Sequence, residues 1–376
     1  MKKFVLIPDS FKGTLSSRQV CDILEKTILA RFPDSPITKI PVADGGEGSV
    51  DAFLEALGGE KVFVEVTGPL FERMTAFYGL IDDGKTAVIE MAVCAGLPLV
   101  EDRKNPLHTT TFGVGELMKA ALNRGVSKII MGLGGSCTND GGTGCAAALG
   151  VRFLDADREP FVPVGGTLSE IAAIDLSGRD ARIDEVEIIT MCDIDNPLYG
   201  KQGAAYVFSP QKGADPQMVE ILDHQLRNLA KTAERFLGFS EWDFQGAGAA
   251  GGMGYGMRAF LNSRIQMGIE TVLDVTNFDE LIRGVDYIVT GEGRLDSQSL
   301  RGKVVIGVAR RAQREAARVI AVVGSVAGEK TDYLKEGIDA IVVTNYLDLP
   351  FDQVKKRAVQ DMITSVSRFL GTIDDQ

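Results

Sequence analysis

The sequence predicts an α/β protein in which a doubly wound, mostly parallel sheet domain carries an inserted second α/β domain. Three observations predict this. The chain has 376 residues, more than one ordinary hydrophobic core accommodates. Strand-like apolar runs alternate with helix-like amphipathic runs towards both ends of the chain. Between them, alternating apolar and polar residues turn at Asp83-Gly84, which is typical of antiparallel sheet.

The first elements form an α/β unit. Phe4-Val5-Leu6-Ile7 is a short apolar run before a proline, so it predicts a strand rather than a signal peptide. Ser16 is the expected N-cap of a helix reaching about Phe32, with Ser17 as the alternative cap. The unit is completed by a strand over 37–42 and a helix over 48–57.

Two familiar glycine motifs in the middle of the chain lack the context that their function requires. Residues 79–86 match the P-loop expression, but strand-like residues lie on both sides, which predicts a β-hairpin. Residues 246–251 match the dinucleotide fingerprint, but no convincing strand precedes them. The first motif is therefore interpreted as a turn, and the second as a glycine-lined turn near some other ligand.

The α/β rhythm returns after the hairpin and continues to the end of the chain. The further expected elements are helix 112–124, strand 126–131, strand 187–191, helix 216–237, strand 287–290, helix 303–317, strand 319–323, strand 340–343 and helix 351–370. We expect residues 1–65 and 284–376 to share one Rossmann-like or flavodoxin-like sheet, with residues 66–283 inserted as the second domain.

Composition excludes several classes of function. The formal net charge is −12, which argues against a nucleic-acid partner, because such proteins need a basic face. No apolar run approaches the roughly twenty residues of a membrane span. The five cysteines are scattered without metal-binding spacing, which predicts a reducing, cytoplasmic compartment. With only two histidines, catalysis is expected to use carboxylates, lysines, arginines and backbone amides.

The most informative stretch is residues 132–144, Gly-Leu-Gly-Gly-Ser-Cys-Thr-Asn-Asp-Gly-Gly-Thr-Gly. A buried-type strand runs into it and a small-residue helix leaves it, which is an arrangement in which backbone N–H groups converge on an anion. Glycine allows the main chain to approach a ligand closely. Asn139 and Asp140 add polar and acidic groups to this turn, which indicates a magnesium-bridged phosphate.

Similar clusters of an acid beside glycine follow most of the predicted strands, where open α/β sheets bind ligands. Each cluster alone is explained as a helix cap or a turn, but several together favour a site. The acids are Asp44, Glu47, Asp140, Asp193, Glu292 and Asp296, and the accompanying cations are Lys12, Lys212, Arg294 and Lys303. Acids that hold magnesium and cations that neutralise a moving phosphoryl group are the requirements of phosphoryl transfer.

Seven of these motifs, in order along the chain, resemble the glycerate kinase type 1 family from end to end. They are Asp9–Gly13, Ala43–Gly48, Gly134–Gly142, Asn196–Ala204, Pro210–Ala214, Gly246–Gly252 and Gly291–Lys303. The resemblance implies ATP-dependent, magnesium-assisted phosphorylation of D-glycerate to a phosphoglycerate, with 2-phosphoglycerate favoured. It also implies two α/β domains with the active site in the cleft between them.

The resemblance frames an expected role for each candidate residue. Gly134, Gly135, Ser136, Asn139 and Lys212 are expected to bind ATP, and Asp140 and Asp193 to hold magnesium. Lys12 and Arg294 are expected to pair with the glycerate carboxylate or the transferring phosphoryl group, and Asp44 or Asp296 to accept the hydroxyl proton. Ser10, Glu47 and Glu292 complete the expected substrate site, and Asp193 is counted among the catalytic residues.

Two alternatives stay open at this stage. The chain could phosphorylate another small hydroxy acid, or it could be a non-catalytic sensor of a sugar acid or nucleotide on the same scaffold. The only expected partner is the small-molecule substrate, with no nucleic acid and no membrane, and homo-oligomerisation is left open.

Overall fold

The computed structural model describes residues 1–42, 45–347 and 349–373, and the chain divides into two compact units. The terminal unit comprises Met1–Ala43 and Met267–Gln376, and the central unit comprises Asp44–Gln266. The fold is α/β, with a parallel sheet in the terminal unit and a mixed sheet in the central unit, as the sequence predicts.

The strands, in chain order, are β1 (Phe4–Pro8), β2 (Ile37–Lys39), β3 (Glu60–Thr67), β4 (Arg73–Ile81), β5 (Thr86–Glu90), β6 (Lys128–Gly132), β7 (Arg152–Leu154), β8 (Pro160–Phe161), β9 (Ala173–Asp175), β10 (Glu187–Met191), β11 (Arg264–Gln266), β12 (Tyr287–Leu295), β13 (Arg318–Val326) and β14 (Ala340–Val343). The α-helices are α1 (Ser17–Arg31), α2 (Ser49–Leu57), α3 (Ala92–Ala95), α4 (Phe112–Asn123), α5 (Thr143–Ala148), α6 (Ala204–Phe208), α7 (Pro216–Leu237), α8 (Ala249–Leu261), α9 (Gly268–Val275), α10 (Phe278–Leu281), α11 (Val304–Ala312), α12 (Lys330–Leu334) and α13 (Phe351–Thr372).

The terminal unit contains a five-stranded sheet in the order β14-β13-β12-β1-β2, and every pairing is parallel. The chain moves outwards in one direction from β1 to β2 and in the other from β12 to β13. Because such crossovers are right-handed, α1 and α11 cover opposite faces. Helices α1 and α13 pack together over a core that includes Phe4, Leu6 and Val289. The expected doubly wound sheet is therefore confirmed.

The β12 strand is longer than the sequence predicts. It continues past Thr290 to Leu295, because its pairing with β13 extends to the pair Leu295 and Val326. Glu292 and Arg294 therefore belong to the strand itself rather than to a loop after it. Helix α11 is shorter than expected, ending at Ala312.

Local sequence explains where the long helices begin and end. Ser16 caps α1 in a capping box: its hydroxyl accepts from the Gln19 amide at 3.2 Å, and its own amide donates to the Gln19 side chain at 2.8 Å. Asp215 caps α7 by accepting from the Met218 amide at 2.8 Å. That helix ends at Gly238 in the left-handed conformation.

The central unit contains a six-stranded sheet in the order β11-β10-β6-β5-β4-β3. The β3–β4 and β4–β5 pairs are antiparallel, and the turn between β4 and β5 contains Asp82 to Lys85. The P-loop match over 79–86 is thus a β-hairpin, as predicted. A second, three-stranded sheet has the order β8-β7-β9.

The glycine segment before α8 also has no strand in front of it, which agrees with the rejection of a dinucleotide fingerprint. Ala250, Gly251 and Gly252 all have positive φ angles, so the chain makes a left-handed turn there. A Cβ on Gly251 would lie 2.1 Å from the Thr138 carbonyl oxygen. The turn therefore packs directly on the 132–144 stretch.

The unit boundaries differ from the domain boundaries expected near 65 and 284. Helix α2 belongs to the central unit because it packs on β4 and β5. Helices α9 and α10 belong to the terminal unit, where α9 packs on α11. Among the described residues, no helix combines the length and the apolar character needed to cross a bilayer.

Helix α4 approaches α5 closely because Gly115 has no side chain. A Cβ at Gly115 would lie 2.2 Å from the Cys145 carbonyl oxygen and 2.8 Å from the Ala148 side chain. Gly115→Ala is expected to lower the free energy of unfolding by about 1–3 kcal/mol, because the two helices must separate. The measurement is urea unfolding followed by far-UV circular dichroism.

The matched control is Gly371→Ala in α13, where a Cβ would meet no atom within 4 Å. That variant is expected to be unchanged or more stable by up to about 1 kcal/mol, because alanine favours the helix. Equal unfolding midpoints for the two variants would show that the α4–α5 contact tolerates a methyl group.

Candidate active site

A pocket of about 500 Å³ lies at the carboxyl ends of the parallel strands in the terminal unit. It lies where β1 and β12 are neighbours and the chain leaves the sheet in opposite directions. In open α/β sheets, this switch point is where ligands bind. The described residues that line it include Ser10, Lys12, Glu292, Arg294 and Asp296. Five of the expected catalytic and substrate residues therefore meet in one place.

Glu292 is a buried acid in this pocket. Its side chain is buried, and its Oε1 atom has no hydrogen-bond partner among the described residues. Burial raises its pKa to about 7, the nearby charges of Asp9 and Asp296 add to the rise, and Ser299 and Lys303 oppose it. A carboxyl group that titrates near neutrality is suited to accept and return a proton.

Three cations line the same pocket as this acid. Lys12 and Arg294 are exposed, and Lys303 is half-buried at the start of α11. The loop after β1 lies against β12, since a Cβ on Gly293 would be in van der Waals contact with the Lys12 amide nitrogen at 3.6 Å. Lys303 donates to the Gln298 side chain at 2.9 Å. The pocket therefore presents three cations to an anionic ligand, beside four lining carboxyl groups, those of Asp9, Glu292, Asp296 and Asp361.

Asp296 is held by the turn that follows β12. Its Oδ1 atom accepts from the Gln298 amide at 2.8 Å, and its own amide donates to the Ser299 hydroxyl at 3.1 Å. The side chain is half-buried and lines the pocket. The geometry permits the proposed contact with a substrate hydroxyl.

In the central unit, the 132–144 stretch is held in place by hydrogen bonds to neighbouring backbone segments. The Gly134 amide donates to the Gly45 carbonyl at 2.8 Å, and the Cys137 amide donates to the Ala95 carbonyl at 2.9 Å. A Cβ on Gly134 would lie 2.5 Å from the Gly46 Cα. Glycine is thus required here for backbone packing, and Gly135 is the exposed residue of the turn.

Lys212 is an internal contact of the same stretch rather than a surface cation. Its side chain is 2% exposed, and its Nζ donates to the Ser136 hydroxyl at 2.8 Å and to the Thr138 carbonyl at 2.6 Å. Burial lowers its pKa to about 8, against weaker opposing effects of Cys137 and Asp140. Lys212 therefore ties the helical turn at 210–212 to the loop.

Asn139 is the polar group of this stretch that the protein leaves unsatisfied. It is fully buried, and neither its Oδ1 nor its Nδ2 has a partner among the described residues. The hydroxyl of the neighbouring Thr138 is also unpartnered. Unpaired buried polar atoms cost about 1–3 kcal/mol each, so they mark a place where a ligand or water would be stabilised.

Asp140 has a different environment from the one that a metal ligand needs. It is fully buried, and its carboxylate accepts from the amides of Thr111 at 2.8 Å, Gly142 at 3.2 Å and Gly144 at 3.3 Å. The Thr111 hydroxyl donates to it as well, at 2.8 Å. These bonds hold the starts of α4 and α5, so the geometry supports a helix-capping role.

The remaining expected residues of the central unit lie at strand ends or on the surface. Asp193 is half-buried, two residues after β10, whose partner strand β6 leads into the 132–144 stretch. Glu47 is exposed before α2. Asp44 lies outside the described residues. Among the described residues, no three His, Cys, Asp or Glu side chains form a group that could hold a metal ion.

Two residues that the sequence reading did not single out also shape these regions. Glu90, at the end of β5, is buried and accepts from the amides of Gly48 at 2.7 Å and Val50 at 3.3 Å, which caps α2. The sequence feature that could have pointed to Glu90 is an acid at the end of an apolar strand. Phe351, at the start of α13, lines the terminal pocket. A lone aromatic at a helix start carries no functional signal.

A family model and two relatives named as glycerate kinases match this chain over most of its length. The sequence model of the Glycerate kinase family matches residues 4–373. "Glycerate kinase" of Bacillus subtilis (strain 168) is 45% identical over 340 residues, covering 90% of this chain and 89% of that protein. "Glycerate 2-kinase" of Escherichia coli (strain K12) is 44% identical over 340 residues, again covering 90% and 89%.

A solved structure agrees with the fold. A crystal structure from Salmonella typhimurium LT2, provisionally named glycerate kinase 2, aligns with a TM-score of 0.85 and 42% sequence identity. The alignment covers 100% of this chain and 98% of that one.

The burial of Lys212 predicts a pH dependence of stability. Its pKa falls from 10.5 to about 8 on folding, so the unfolded chain binds more protons between these values. The free energy of unfolding of the wild type, relative to Lys212→Met, is therefore expected to rise between pH 8 and 10.5. The full rise is on the order of 3 kcal/mol.

Urea unfolding at several pH values, with the difference between the two proteins plotted against pH, measures this effect. Lys231→Met in α7 controls for the loss of an exposed lysine. A difference for Lys212→Met that does not change with pH would mean that Lys212 is not buried in its charged form.

Proposed function

We propose that this chain, which belongs to the glycerate kinase family, transfers the γ-phosphoryl group of ATP to D-glycerate. The family match spans residues 4–373, and the Bacillus subtilis and Escherichia coli relatives, both named as glycerate kinases, share 45% and 44% identity with the chain. The chain is thus a kinase, a phosphotransferase that uses a nucleotide. The observation that carries the specific proposal is the buried Glu292, whose Oε1 atom has no partner among the described residues, in one pocket with Lys12, Arg294 and Lys303.

Lys12 and Arg294 would bind the negatively charged groups of the substrate. An arginine can pair with a carboxylate through two parallel N–H···O bonds, which orients a small acid as well as attracting it. Both side chains are exposed and line the pocket, so neither has to be desolvated from an internal ion pair first. Ser10 lines the same pocket and would donate a hydrogen bond to the acid.

Glu292 would act as the base towards the glycerate hydroxyl. The hydroxyl proton passes to the Glu292 carboxylate, the hydroxyl oxygen forms a bond to the γ-phosphorus, and the bond from that phosphorus to ADP breaks. The raised pKa of Glu292 keeps it a strong enough base near neutral pH. Asp296, and Asp44 outside the described residues, stay proposals for the same step.

The Gly134–Asn139 loop would contact the phosphates of the nucleotide. The support is the exposed Gly135 together with the unpartnered Asn139 side chain. Lys212 would act by holding Ser136 and Thr138 in place, because both of its observed hydrogen bonds are internal. Glu47, exposed before α2, stays a proposal for the substrate side.

Magnesium would be held by Asp193 in this proposal. Magnesium needs only one or two carboxylates when phosphates and waters supply its other ligands. The lack of a three-residue cluster among the described residues is therefore compatible with magnesium binding. Bound there, the ion would neutralise charge on the phosphates. Asp140 does not fit this role, because four protein donors already engage its carboxylate. The five free cysteines support the cytoplasmic location that we also propose.

Purified protein is expected to consume ATP only when D-glycerate and magnesium are both present, and to form 2-phosphoglycerate. Coupled detection of ADP measures turnover, and ³¹P NMR identifies which hydroxyl carries the phosphate. A panel of longer sugar acids tests the alternative substrate class. Faster turnover with another acid would show that this acid, and not glycerate, is the substrate. Binding of the acid or nucleotide without any ATP consumption would show that the protein is a sensor and not a kinase.

Glu292→Gln is expected to lower kcat by about 10²- to 10⁴-fold, because the variant cannot accept the hydroxyl proton. In the wild type, kcat/KM for glycerate is expected to rise with pH through an inflection near 7, as Glu292 loses its proton. The inflection should disappear in the variant.

The control is Glu329→Gln, which removes an exposed carboxyl outside the pocket of the same unit. It should leave both the rate and the pH profile unchanged. Retention of the inflection near 7 in Glu292→Gln would transfer the role to Asp296 or Asp44, and the corresponding Asn variants would then be compared.

A further inference from the structure

The pocket of the terminal unit is larger than a three-carbon acid requires. Its lining comes from the ends of four neighbouring strands, β1, β12, β13 and β14, which span about 14 Å at ordinary strand spacing. Glycerate spans on the order of 5 Å at ordinary bond lengths. The volume of about 500 Å³ lies in the range of pockets that enclose drug-sized ligands. The pocket therefore has room for a ligand larger than glycerate.

One wall of the pocket is apolar. Phe351, Val354 and Ala358 follow a spacing of three and four residues, so they share one face of α13. Phe351 is 57% exposed although it is a large aromatic residue. Its ring lies over Gly13, where a Cβ would come within 2.9 Å of the ring. The absence of a side chain at Gly13 thus lets the ring take this position.

We propose that this apolar wall binds the nucleoside of the phosphoryl donor, with the base stacked on the Phe351 ring. The inference rests on the proposed function, since it names where that function places the donor. A nucleotide needs an aromatic or apolar surface for its base and cations for its phosphates. This pocket offers both, because Lys303, the lining cation that is not assigned to glycerate, lies in it together with the α13 wall.

Hydroxyl groups at the strand ends are suited to bind the ribose of the nucleoside. Ser325 of β13 and Thr344 after β14 both line the pocket. They are short donors and acceptors of the kind that hydrogen-bond to a ribose. Asn345 stabilises the loop before α13, since its side chain accepts from the Leu349 amide at 3.0 Å and donates to the Leu349 carbonyl at 3.2 Å. The wall is therefore anchored before a ligand binds.

Two other pockets in the described chain lack this combination. The pocket beside β9 has apolar residues, among them Phe236, but its charged residues are a single arginine and an aspartate. The pocket at the β4–β5 turn is lined by Glu60, Asp82 and Asp83, and no lysine, arginine or aromatic ring is among its described lining residues. The terminal pocket is the better candidate because cations and an aromatic ring line it together.

Isothermal titration of the whole protein with ADP and magnesium, without glycerate, tests the proposal. Phe351→Ala is expected to weaken ADP binding by about 5- to 100-fold, the range that base stacking contributes. Pyrophosphate, which has no base, should bind the wild type and this variant within about twofold of each other. Phe351→Trp should retain ADP binding, because the indole also presents a flat ring.

The matched control is Val359→Ala, which truncates an exposed apolar residue of the same helix outside the pocket. It should not change ADP binding. Unchanged ADP binding in Phe351→Ala, or equal weakening of ADP and pyrophosphate, would overturn the proposal. Steady-state KM values add a second readout, since the variant should raise the KM for ATP and not the KM for glycerate.

The two proposals fail in different ways. If the wild type binds ADP through Phe351 but phosphorylates no glycerate, the proposed function is wrong and the nucleoside site stands. If glycerate is phosphorylated while Phe351→Ala keeps its ADP affinity, the function stands and the nucleoside site is wrong.

Discussion

The parallel pairing of β1 with β12 is the interaction on which the candidate site depends. It joins Phe4 to Tyr287 and Pro8 to Gly291, so residues from the two ends of the chain form the centre of one sheet. After Gly291, β12 continues beside β13 while β1 has already ended. A gap therefore forms in the sheet beside the extension of β12, and Glu292 and Lys12 line the pocket at this place.

Buried polar groups impose a second constraint, in the central unit. Lys212, Asp140 and Glu90 are each buried, and each pairs with at least one backbone group of a loop at a strand or helix end. Removing any of them would leave backbone groups unpaired, which costs more than the bond itself. Residue types that catalyse reactions elsewhere serve here to hold the loops in place, so residue type alone does not assign a role.

Much of the fold could be predicted from local patterns. The α7 helix, the β4–β5 hairpin and the Ser16 cap occur where the sequence predicts them, because periodicity and turn chemistry depend on neighbouring residues. The extension of β12 to Leu295 could not be predicted, since it depends on a partner strand about thirty residues away. The unit boundaries differ from those expected near residues 65 and 284 for the same reason. The unit to which α2 belongs depends on the strands it packs on, which lie further along the chain.

By itself, the sequence determined the fold class, the family and the set of candidate residues. Strand, helix and motif patterns are each formed by residues close together in the chain, and several patterns that agree strengthen one prediction. Only the tertiary structure decided how those residues are used. It brought Lys12, Glu292 and Arg294 to one pocket and buried Lys212 and Asp140 among backbone partners. It also placed Phe351 at that pocket. The physical reason is that burial, and therefore charge state and accessibility, is a property of the packed environment and not of the residue.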